Sequence, residues 1–295
     1  MIQGTYTALV TPFRGGQIDE EAFERLIEDQ IEGGVDGIVP VGTTGESPTL
    51  DHNEHIRVIE LAVKFANKRV KVMAGTGSNS TTEAVSLTQE AEKVGADSAL
   101  LVAPYYNKPT QEGVFLHYKA VADATGLPLV LYSIPGRCGI EIGVETTCRL
   151  AEARENIVAI KEAGGTVERV SQLRSVLPDD FAIMSGDDSM TLPFLSVGAD
   201  GVISVASNLI PAEVSQLVKA FREGNAALAG KMHRKYYPLF KDLFIESNPV
   251  PTKTALSMLG RMTAEVRLPL TDLQKSSVQK LKETMVRCGL LGVTA

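Results

Sequence analysis

The residue of this 295-residue chain with the clearest chemical potential is Lys161, which directly follows the apolar run Ile157–Ile160. At the carboxyl end of a buried strand an ammonium group loses hydration, so its pKa should fall. The neutral amine could then attack a carbonyl carbon and form an imine. Position alone leaves a second interpretation open, in which the lysine extends from a strand end to water. Glu162 comes next, and because side chains alternate along a strand it should point away from Lys161.

Two distinctive side chains follow the apolar run Leu129–Leu131. The phenol of Tyr132 could relay protons during imine formation and bond making, or it could fill the top of a barrel. The flat guanidinium of Arg137 suits a carboxylate bound through two hydrogen bonds, although a place on a flexible surface loop fits it equally well. Cys138 stands beside this cation, so a lowered thiol pKa and sensitivity to oxidation are expected.

Two loops could add polar groups to the same site. The segment Gly42–Ser47 contains glycines that let backbone N–H groups approach a ligand. The hydroxyls of Thr43 and Thr44 can bind a carboxylate or pass a proton. An ordinary strand-to-helix turn is the alternative. The loop Pro104–Pro109 carries two neighbouring phenols that could anchor a ligand or a partner.

Other kinds of chemistry find less support. The paired acids of Ser185–Asp188 could attract a metal, but capping of the next helix explains them more simply. His52 and His55 fall on one helix face without a further ligand cluster, so we expect no zinc site. The sequence has no P-loop, and Gly75-x-Gly77 lacks the third glycine of a dinucleotide fingerprint. We therefore expect neither a metal nor a separate cofactor.

Short apolar runs alternate with amphipathic stretches over the first two thirds of the chain. The eight runs are Tyr6–Val10, Val35–Val41, Val70–Ala74, Ser98–Ala103, Leu129–Tyr132, Ile157–Ile160, Phe181–Met184 and Gly201–Val205. Their composition suits parallel strands that are buried on both faces. Eight alternating units favour a closed (β/α)8 TIM barrel over a doubly wound sheet. In such a barrel, reactive groups collect at the carboxyl ends of the strands.

Helix signals fall between the runs and continue beyond them. Asp51 with Glu54, and Ser80 with Glu83, have the spacing of a capping box. After Pro211 only helical segments follow, at residues 212–223, 226–244, 252–259 and 271–288. The first can serve as the eighth helix of the barrel. We therefore expect a barrel domain at residues 1–224 and a small all-helical C-terminal domain at residues 225–295.

The overall composition restricts the possible partners. The net charge is −7, with acids and bases interspersed, whereas nucleic-acid-binding proteins usually show a basic face. No run approaches the roughly 18 apolar residues of a membrane span. The first residues lack the basic and then apolar pattern of a secretion signal. Three separated cysteines without a CxxC pair indicate free thiols in a reducing cytoplasm.

Together the motifs resemble the dihydrodipicolinate synthase/N-acetylneuraminate lyase family over nearly the full length. The segments that carry the resemblance are Gly4-x-x-x-Ala8-x-Val10-Thr11-Pro12-Phe13, GTTGES at 42–47, AGTGSNST at 74–81, PYYNKP at 104–109, IKEA at 160–163, SGDD at 185–188, Gly201-Val202-Ile203-Ser204 and Asn248-Pro249-Val250-Pro251-Thr252-Lys253. The joint match is specific, whereas each segment alone is weak. The resemblance implies a lyase that needs no cofactor beyond a covalent imine with pyruvate.

The resemblance also implies catalytic roles at the matching positions. Lys161 forms the imine with pyruvate, and Tyr132 is the central proton relay. Thr43 links Tyr132 to Tyr106, which the family supplies from a neighbouring subunit. A homotetramer built as two tight dimers is therefore implied, although a dimer would suffice chemically.

Four further positions match residues that bind substrate in the family. Thr44 helps to hold the pyruvate carboxylate, and Arg137 guides the aldehyde substrate at the entrance. Gly186 and Ile203 contribute backbone carbonyl groups. Sialic acid lyases and sugar-acid aldolases generally lack the arginine. Its presence favours the branch that condenses pyruvate with L-aspartate 4-semialdehyde in lysine and diaminopimelate synthesis.

The chain departs from the family at two positions beside the site. Synthases of the family usually read Tyr-Asn-x-Pro-x-Arg-Thr-Gly, whereas here Ser133 replaces the asparagine and Cys138 replaces the threonine. Both replacements are small, so Tyr132 and Arg137 can keep their places. A hydrogen bond near the substrate could nevertheless be lost.

A regulatory site is also implied by the resemblance. Family members that lysine inhibits bind it at a subunit interface through residues that match Ser47, Pro48, His52, His55, Asn79, Glu83 and Tyr105. Glu83 could pair with the α-amino group of lysine, and His55 could meet its side chain. We therefore expect feedback inhibition by L-lysine. The alternative is that His52 and Glu83 only cap and solvate helices.

Several functions stay open at the level of sequence. A different pyruvate-dependent aldolase of the same family, such as a sialic acid or sugar-acid lyase, would share the imine chemistry. A metal-dependent aldolase would not need Lys161. A barrel without activity could serve as a binding protein, although the presence of Lys161, Tyr132, Thr43 and Tyr106 argues against it.

Overall fold

The chain forms a closed barrel of eight parallel strands in the computed structural model, which describes residues 2–292. The strands are β1 (Gly4–Ala8), β2 (Gly37–Val39), β3 (Lys71–Gly75), β4 (Ser98–Val102), β5 (Leu129–Ser133), β6 (Ile157–Glu162), β7 (Ala182–Ser185) and β8 (Gly201–Ser204). Each strand pairs with its neighbour in sequence, and β8 closes onto β1 with Gly201 opposite Gly4. The predicted TIM barrel is confirmed.

Helices alternate with the strands and continue after the last strand. They are α1 (Glu20–Glu32), α2 (His52–Ala66), α3 (Thr81–Lys93), α4 (Gln111–Ala122), α5 (Pro135–Cys138), α6 (Val144–Ala153), α7 (Val167–Val176), α8 (Thr191–Leu195), α9 (Pro211–Arg222), α10 (Ala226–Asp242), α11 (Val250–Met258) and α12 (Lys275–Arg287). Short 3₁₀ turns span Ser47–Thr49, Asp188–Met190 and Ala206–Asn208. None of the helices in residues 2–292 is long and apolar enough to cross a membrane.

Some element boundaries differ from those predicted. The run Val35–Val41 shortens to β2, because Pro40 has no N–H for the ladder and Val41 has a φ of 50°. Lys161 lies inside β6 rather than after it. In the helical tail, α12 begins at Lys275 instead of residue 271, because the backbone of its N-cap residue is extended.

The two predicted capping boxes have different outcomes. At α2 both hydrogen bonds form, one from Glu54 N–H to the Asp51 carboxylate and one from Asp51 N–H to the Glu54 carboxylate. At α3 the Ser80 hydroxyl accepts from Glu83 N–H, but the Glu83 carboxylate accepts from the Ser78 hydroxyl instead of closing the box. The prediction of a complete box at α3 is wrong, because a nearby hydroxyl competes for the carboxylate.

The barrel interior is a packed apolar core. Side chains on alternate positions of the strands fill it: Tyr6, Ala8, Val39, Met73, Leu100, Val130, Tyr132, Ala159, Ala182, Met184, Ile203 and Val205. The positions between them, such as Ile160, pack outward against the helices. Burial on both faces explains why the strands are almost entirely apolar. The exceptions at the carboxyl ends of the strands therefore mark the site.

The helical tail packs against the barrel as well as on itself. Helix α10 contacts both α9 and α12, and it also reaches the turn Asp188–Met190 above β7. Asn225 caps α10, and its side chain accepts from Leu228 N–H. The division of the chain at residues 224 and 225 stays a prediction. The last three residues of the predicted tail, 293–295, lie outside the described residues.

Candidate active site

Lys161 projects into the top of the barrel. It shares the inward face of β6 with Ala159, whereas Glu162 faces outward and pairs with Arg169 at 3.2 Å. The Lys161 side chain is only 5% exposed. Burial lowers the pKa of Lys161 from 10.5 to about 7, the nearby Asp188 carboxylate opposes this shift, and Arg137 adds to it. The predicted direction of Glu162 is confirmed.

Tyr132 stands beside Lys161 on the neighbouring strand. The two residues are register partners between β5 and β6, and Lys161 Nζ lies 4.2 Å from the centroid of the tyrosine ring. Burial raises the pKa of the Tyr132 phenol above its ordinary value of 10, although the Arg137 charge and a hydrogen bond with Thr43 oppose this. The phenol therefore remains protonated and available as a proton donor near the amine.

A small cavity of about 40 Å³ brings these groups together. Its lining residues are Ala8, Val39, Gly42, Thr43, Thr44, Leu100, Tyr132, Ile134, Arg137, Lys161, Gly186, Val205, Phe244 and Asn248. A second cavity of about 210 Å³ shares several of these residues, among them Thr43, Tyr132 and Arg137. Lys161 lines only the small cavity, whereas Thr43, Tyr132 and Arg137 line both cavities, which together form a passage to the amine.

The Gly42–Ser47 loop carries the hydroxyls of this site. Thr44 is buried, and its Oγ1 accepts from Nδ2 of Asn248 at 2.9 Å. Backbone O of the same asparagine accepts from Nη2 of Arg137 at 3.4 Å. Asn248 therefore contacts two predicted substrate-binding residues from the helical tail. The sequence showed it only inside a family-like segment and gave no reason to assign it to the site.

Gly186 and Ile203 have different positions. Gly186 lines the small cavity, and a Cβ added there would lie 2.7 Å from Ala163 Cβ and 3.1 Å from Lys161 Cε. Glycine is thus required by the close approach of the Lys161 strand. Ile203 is fully buried in the inner layer of the barrel, beside its register partner Tyr6 on β1. It is not among the residues that line the small cavity.

The two acids after β7, Asp187 and Asp188, make different contacts. Asp187 caps the following 3₁₀ turn through Ser189 N–H, as expected. Asp188 is buried, and its carboxylate accepts from the Ser204 hydroxyl at 2.5 Å and from two backbone N–H groups, those of Val205 and Ala206, at 3.0 Å. It thereby ties the ends of β7 and β8 together near Lys161. Within residues 2–292 no group of three or more His, Cys, Asp or Glu side chains is arranged to hold a metal.

The two departures from the family pattern, Ser133 and Cys138, are both buried. Ser133 points outward, and its Oγ accepts from Ile142 N–H at 3.3 Å, so it holds the segment that follows α5. Cys138 is 3% exposed, and burial raises the pKa of its thiol to about 11 despite the opposing charge of Arg137. The expectation of a lowered thiol pKa is wrong, because loss of hydration outweighs the neighbouring cation.

Tyr106 lies apart from the cavity within the single chain. Its side chain is 88% exposed, and its backbone has a φ of 72°. The neighbouring Tyr105 lines the larger cavity. A bulky residue with positive φ is an outlier that needs support from its surroundings.

A third cavity of about 220 Å³ lies beside the passage. Its lining includes six of the seven residues predicted for lysine: Ser47, Pro48, His52, His55, Glu83 and Tyr105. The seventh, Asn79, is adjacent, and its Nδ2 donates to the backbone O of Tyr105 at 3.2 Å. Glu83 lies 3.2 Å from His52 Nε2. The structure thus brings the predicted set together around one space.

His55 does not present a free nitrogen to this cavity. Its Nε2 lies 2.9 Å from the Gly75 carbonyl O, which can only accept, and its Nδ1 lies 3.4 Å from the Ser47 hydroxyl. Burial lowers the pKa of His55 to about 4, so the ring is neutral at physiological pH. His55 therefore lines this cavity as a neutral group rather than as a charge.

Comparison with known proteins decides the family. Residues 1–287 match the model of the dihydrodipicolinate synthetase family. This chain belongs to that family. A curated relative, the 4-hydroxy-tetrahydrodipicolinate synthase of Sulfurihydrogenibium sp. (strain YO3AOP1), is 52% identical, with 99% of this chain and 100% of that protein covered.

Solved structures of the dihydrodipicolinate synthetase family superpose closely on the chain. The 4-hydroxy-tetrahydrodipicolinate synthase of Methylacidiphilum fumariolicum SolV has a TM-score of 0.97 and 59% identity, covering 98% of this chain and 96% of that one. The Cyanidioschyzon merolae enzyme, solved with lysine bound, has a TM-score of 0.95 and 44% identity, covering 98% and 99%. The helical tail is included in these matches.

Proposed function

We propose that this chain condenses pyruvate with L-aspartate 4-semialdehyde to 4-hydroxy-tetrahydrodipicolinate, through an imine on Lys161. The observation that carries the proposal is the amine of Lys161, buried beneath a small cavity with a pKa lowered to about 7. The Tyr132 ring lies beside it, and two threonines and an arginine line the same cavity. The covalent imine serves as the electron sink, so the reaction requires no external cofactor.

The chemistry follows from these positions. The neutral amine of Lys161 attacks C2 of pyruvate, and loss of water gives the imine. Removal of a proton from C3 gives an enamine, which attacks the aldehyde carbon and forms the new carbon–carbon bond. The amino group of the semialdehyde then displaces Lys161 and closes the ring. Tyr132, which lines the same cavity as Thr43, moves protons between these intermediates.

The remaining residues fix the orientation of the substrates in this proposal. Thr44 holds the pyruvate carboxylate, and Gly186 leaves room beside Lys161 for the bound carbon chain. Arg137 lines both the small cavity and the wider passage, so it meets the carboxylate of the second substrate as it enters. Ile203 supports the inner layer and can offer only its backbone carbonyl.

Reductive trapping tests this function. The protein is incubated with pyruvate and borohydride, and the modified peptide is mapped by mass spectrometry. We expect a reduced pyruvyl adduct on Lys161. Lys253 is an internal control, since it is equally buried but paired with Glu46 at 2.6 Å, so it should remain unmodified. An adduct at another lysine, or none from folded protein, would contradict the proposal.

A substrate comparison separates the proposal from other pyruvate-dependent aldolases. Condensation with L-aspartate 4-semialdehyde is expected, and the Arg137→Ala variant should mainly raise the KM for the semialdehyde. Retro-aldol cleavage of a sugar acid without this condensation would instead support an aldolase. Activity should persist after exhaustive chelation, which distinguishes both from a metal-dependent aldolase.

We propose that the third cavity binds L-lysine as a feedback inhibitor. The lysine-bound relative from Cyanidioschyzon merolae supports this proposal. The Glu83 carboxylate lines the cavity and suits the α-amino group, and Ser47, Pro48 and Tyr105 line both this cavity and the passage to Lys161. Occupation of the cavity would thus act on residues that also shape the substrate passage.

We also propose a homo-oligomer, with a tetramer of two tight dimers as the expected form, in the cytoplasm. Tyr106 is highly exposed and has a positive φ, so contact with a partner subunit would cover the side chain and support its backbone conformation. In that position Tyr106 would reach the active site of the partner subunit. Light scattering combined with Tyr106→Phe kinetics tests this. A monomer with full activity would contradict it.

A further inference from the structure

The loop that carries Thr43 and Thr44 is held in a strained conformation at both ends. Val41 has a φ of 50° and Glu46 has a φ of 55°. A β-branched residue in this region is a genuine outlier, and such strain persists only where the surrounding structure enforces it. The loop therefore depends on contacts from outside itself.

The strongest of these contacts is a fully buried ion pair. Lys253 Nζ lies 2.6 Å from Glu46 Oε1, and both side chains have no exposed surface. The same ammonium donates to the Thr11 carbonyl O at 2.8 Å and lies 4.2 Å from the centroid of the Phe13 ring. Glu46 Oε2 accepts from the backbone N–H of Arg267 at 3.1 Å. Both oxygens of the carboxylate are thus bound by the helical tail.

A second contact from the tail reaches the substrate-facing side of the loop. Asn248 donates to Thr44 Oγ1 and accepts from Arg137 through its backbone O. Asn248 lies just before α11 and Lys253 lies in its first turn, so one short segment contacts the loop at both Thr44 and Glu46. Thr11 adds a further bond, from its hydroxyl to the Gly45 carbonyl O at 2.7 Å.

A buried ion pair is an expensive way to stabilise a fold. The loss of hydration on burial largely offsets the attraction between the charges, and an apolar pair of similar volume is often as stable. What charges and hydrogen bonds supply is a defined geometry, because donor and acceptor must meet at fixed distances. The pair joins the tail to the loop that lines the reactive cavity, where geometry matters most.

We propose that Lys253 and Asn248 of the helical tail form a clamp on Glu46 and Thr44 that positions the Gly42–Ser47 loop for catalysis. Lys253 is a positioning residue, because it does not line the cavity above Lys161 and acts only through the loop. The proposal rests on the proposed function, in which Thr43 and Thr44 act on the pyruvate imine. Misplacement of an aligned group by about 1 Å can cost on the order of 100-fold in rate.

The central test uses the double variant Glu46→Gln with Lys253→Met. It removes both charges together, so neither is left buried without a partner, and the fold should survive. We expect a melting temperature close to that of the wild type. At the same time kcat should fall, or the KM for pyruvate should rise, by roughly ten- to 100-fold.

A matched control lies elsewhere in the same tail. Asp242 pairs with Lys280 at 3.2 Å and accepts from the Thr284 hydroxyl at 2.7 Å, and these contacts join α10 to α12. The double variant Asp242→Asn with Lys280→Met removes an ion pair of the tail that does not contact the loop. Its kcat and KM should equal those of the wild type.

A second variant covers the case in which the first does not fold. Asn248→Ala leaves the ion pair in place and removes the donor to Thr44, together with the acceptor of a long bond of 3.4 Å from the Thr252 hydroxyl. The KM for pyruvate should rise about tenfold. Wild-type kcat and KM in the folded Glu46→Gln/Lys253→Met protein, or a wild-type KM in Asn248→Ala, would overturn the clamp. Trapping of pyruvate on wild-type Lys161 separates the proposed function from the proposed clamp. If an adduct forms and the variants behave like the wild type, only the clamp is wrong. If no adduct forms, both proposals are wrong.

Discussion

Lys161 and Tyr132 occupy the same level of the barrel on neighbouring strands, with Nζ of the lysine 4.2 Å from the centroid of the tyrosine ring. Parallel strands in register place residues one βα unit apart side by side, so the amine and the phenol need no loop to bring them together. Both lie on rigid elements, which keeps their separation fixed.

The rate of imine formation should rise with pH through about 7 and then level off. The pKa of Lys161 is lowered by burial to about 7, so the neutral amine is the major form above that pH. An amine with an ordinary pKa would be less than about one part in a hundred neutral at pH 8. Short-time trapping with borohydride from about pH 5 to about pH 10 would measure this. A rate that keeps rising to the highest pH would contradict it.

Replacement of Lys161 by Met should abolish condensation and stabilise the fold at neutral pH. The pKa of Lys161 is about 7 in the folded protein and near 10.5 when unfolded, so between these values the unfolded chain binds more protons. The destabilisation of the fold by the buried lysine is therefore greatest below pH 7 and disappears as the pH approaches 10.5. The free energy of unfolding of the variant should exceed that of the wild type by on the order of a few kcal/mol at pH 7, and by less at pH 10. Urea unfolding at both pH values tests this, and an equal gain at both would contradict it.

The Tyr132→Phe variant should lower kcat by roughly 100- to 10,000-fold, the usual effect of removing a proton-transfer group. Tyr118→Phe is a control for the loss of a buried phenol, since this hydroxyl donates to the Leu101 carbonyl O and meets the backbone of Tyr132 without lining the cavity. Loss of that bond should cost about 1 kcal/mol of stability and leave kcat unchanged. Equal losses of activity in both variants would show that the effect is structural.

Cys138 should react slowly with alkylating reagents. Its thiol is buried, with a pKa raised to about 11, so little thiolate exists at pH 8. Cys148 is partly exposed and should be modified first. Mass spectrometry of peptides after timed treatment with iodoacetamide would give both rates. Faster modification of Cys138 would contradict the assignment of burial as the dominant influence.

Glu83→Ala should abolish inhibition by L-lysine, and its kcat in assays without lysine should equal that of the wild type. The carboxylate lines the third cavity and does not line the cavity above Lys161. Glu90 on the same helix pairs with Lys93 at the surface, so Glu90→Ala is a control that should keep the inhibition. Turnover at low pyruvate with millimolar lysine measures the effect. A wild-type enzyme that lysine does not slow would contradict the proposal.

Much of the fold could be predicted because the barrel strands are buried on both faces. Each apolar run became a strand, and the order of the units correctly placed Tyr132 and Lys161 on neighbouring strands, although Lys161 lies within its strand rather than after it. The contribution of Asn248 could not be predicted in this way. Its position depends on how helices of the tail dock on the barrel, and a helical pattern does not encode that docking.

One local expectation failed because a neighbour in sequence is a poor guide to environment. Cys138 stands next to Arg137, yet the pKa of its thiol is raised, since burial outweighs the adjacent charge. That burial comes from the assembled barrel and cannot be read from the adjacent residue. For Ser133, the loss of a hydrogen bond near the substrate stays a prediction, and the structure shows that its own hydroxyl accepts from Ile142 N–H.

The contact between Glu46 and Lys253 joins positions 207 residues apart. During synthesis a ribosome makes the whole barrel before the tail residues that bind the Gly42–Ser47 loop emerge, namely Asn248, Lys253 and Arg267. A nascent or truncated chain that ends after β8 therefore holds its lysine nucleophile beside an unsecured loop. If the clamp positions this loop, full activity requires the tail at least as far as Arg267, and the barrel alone would not be a working unit.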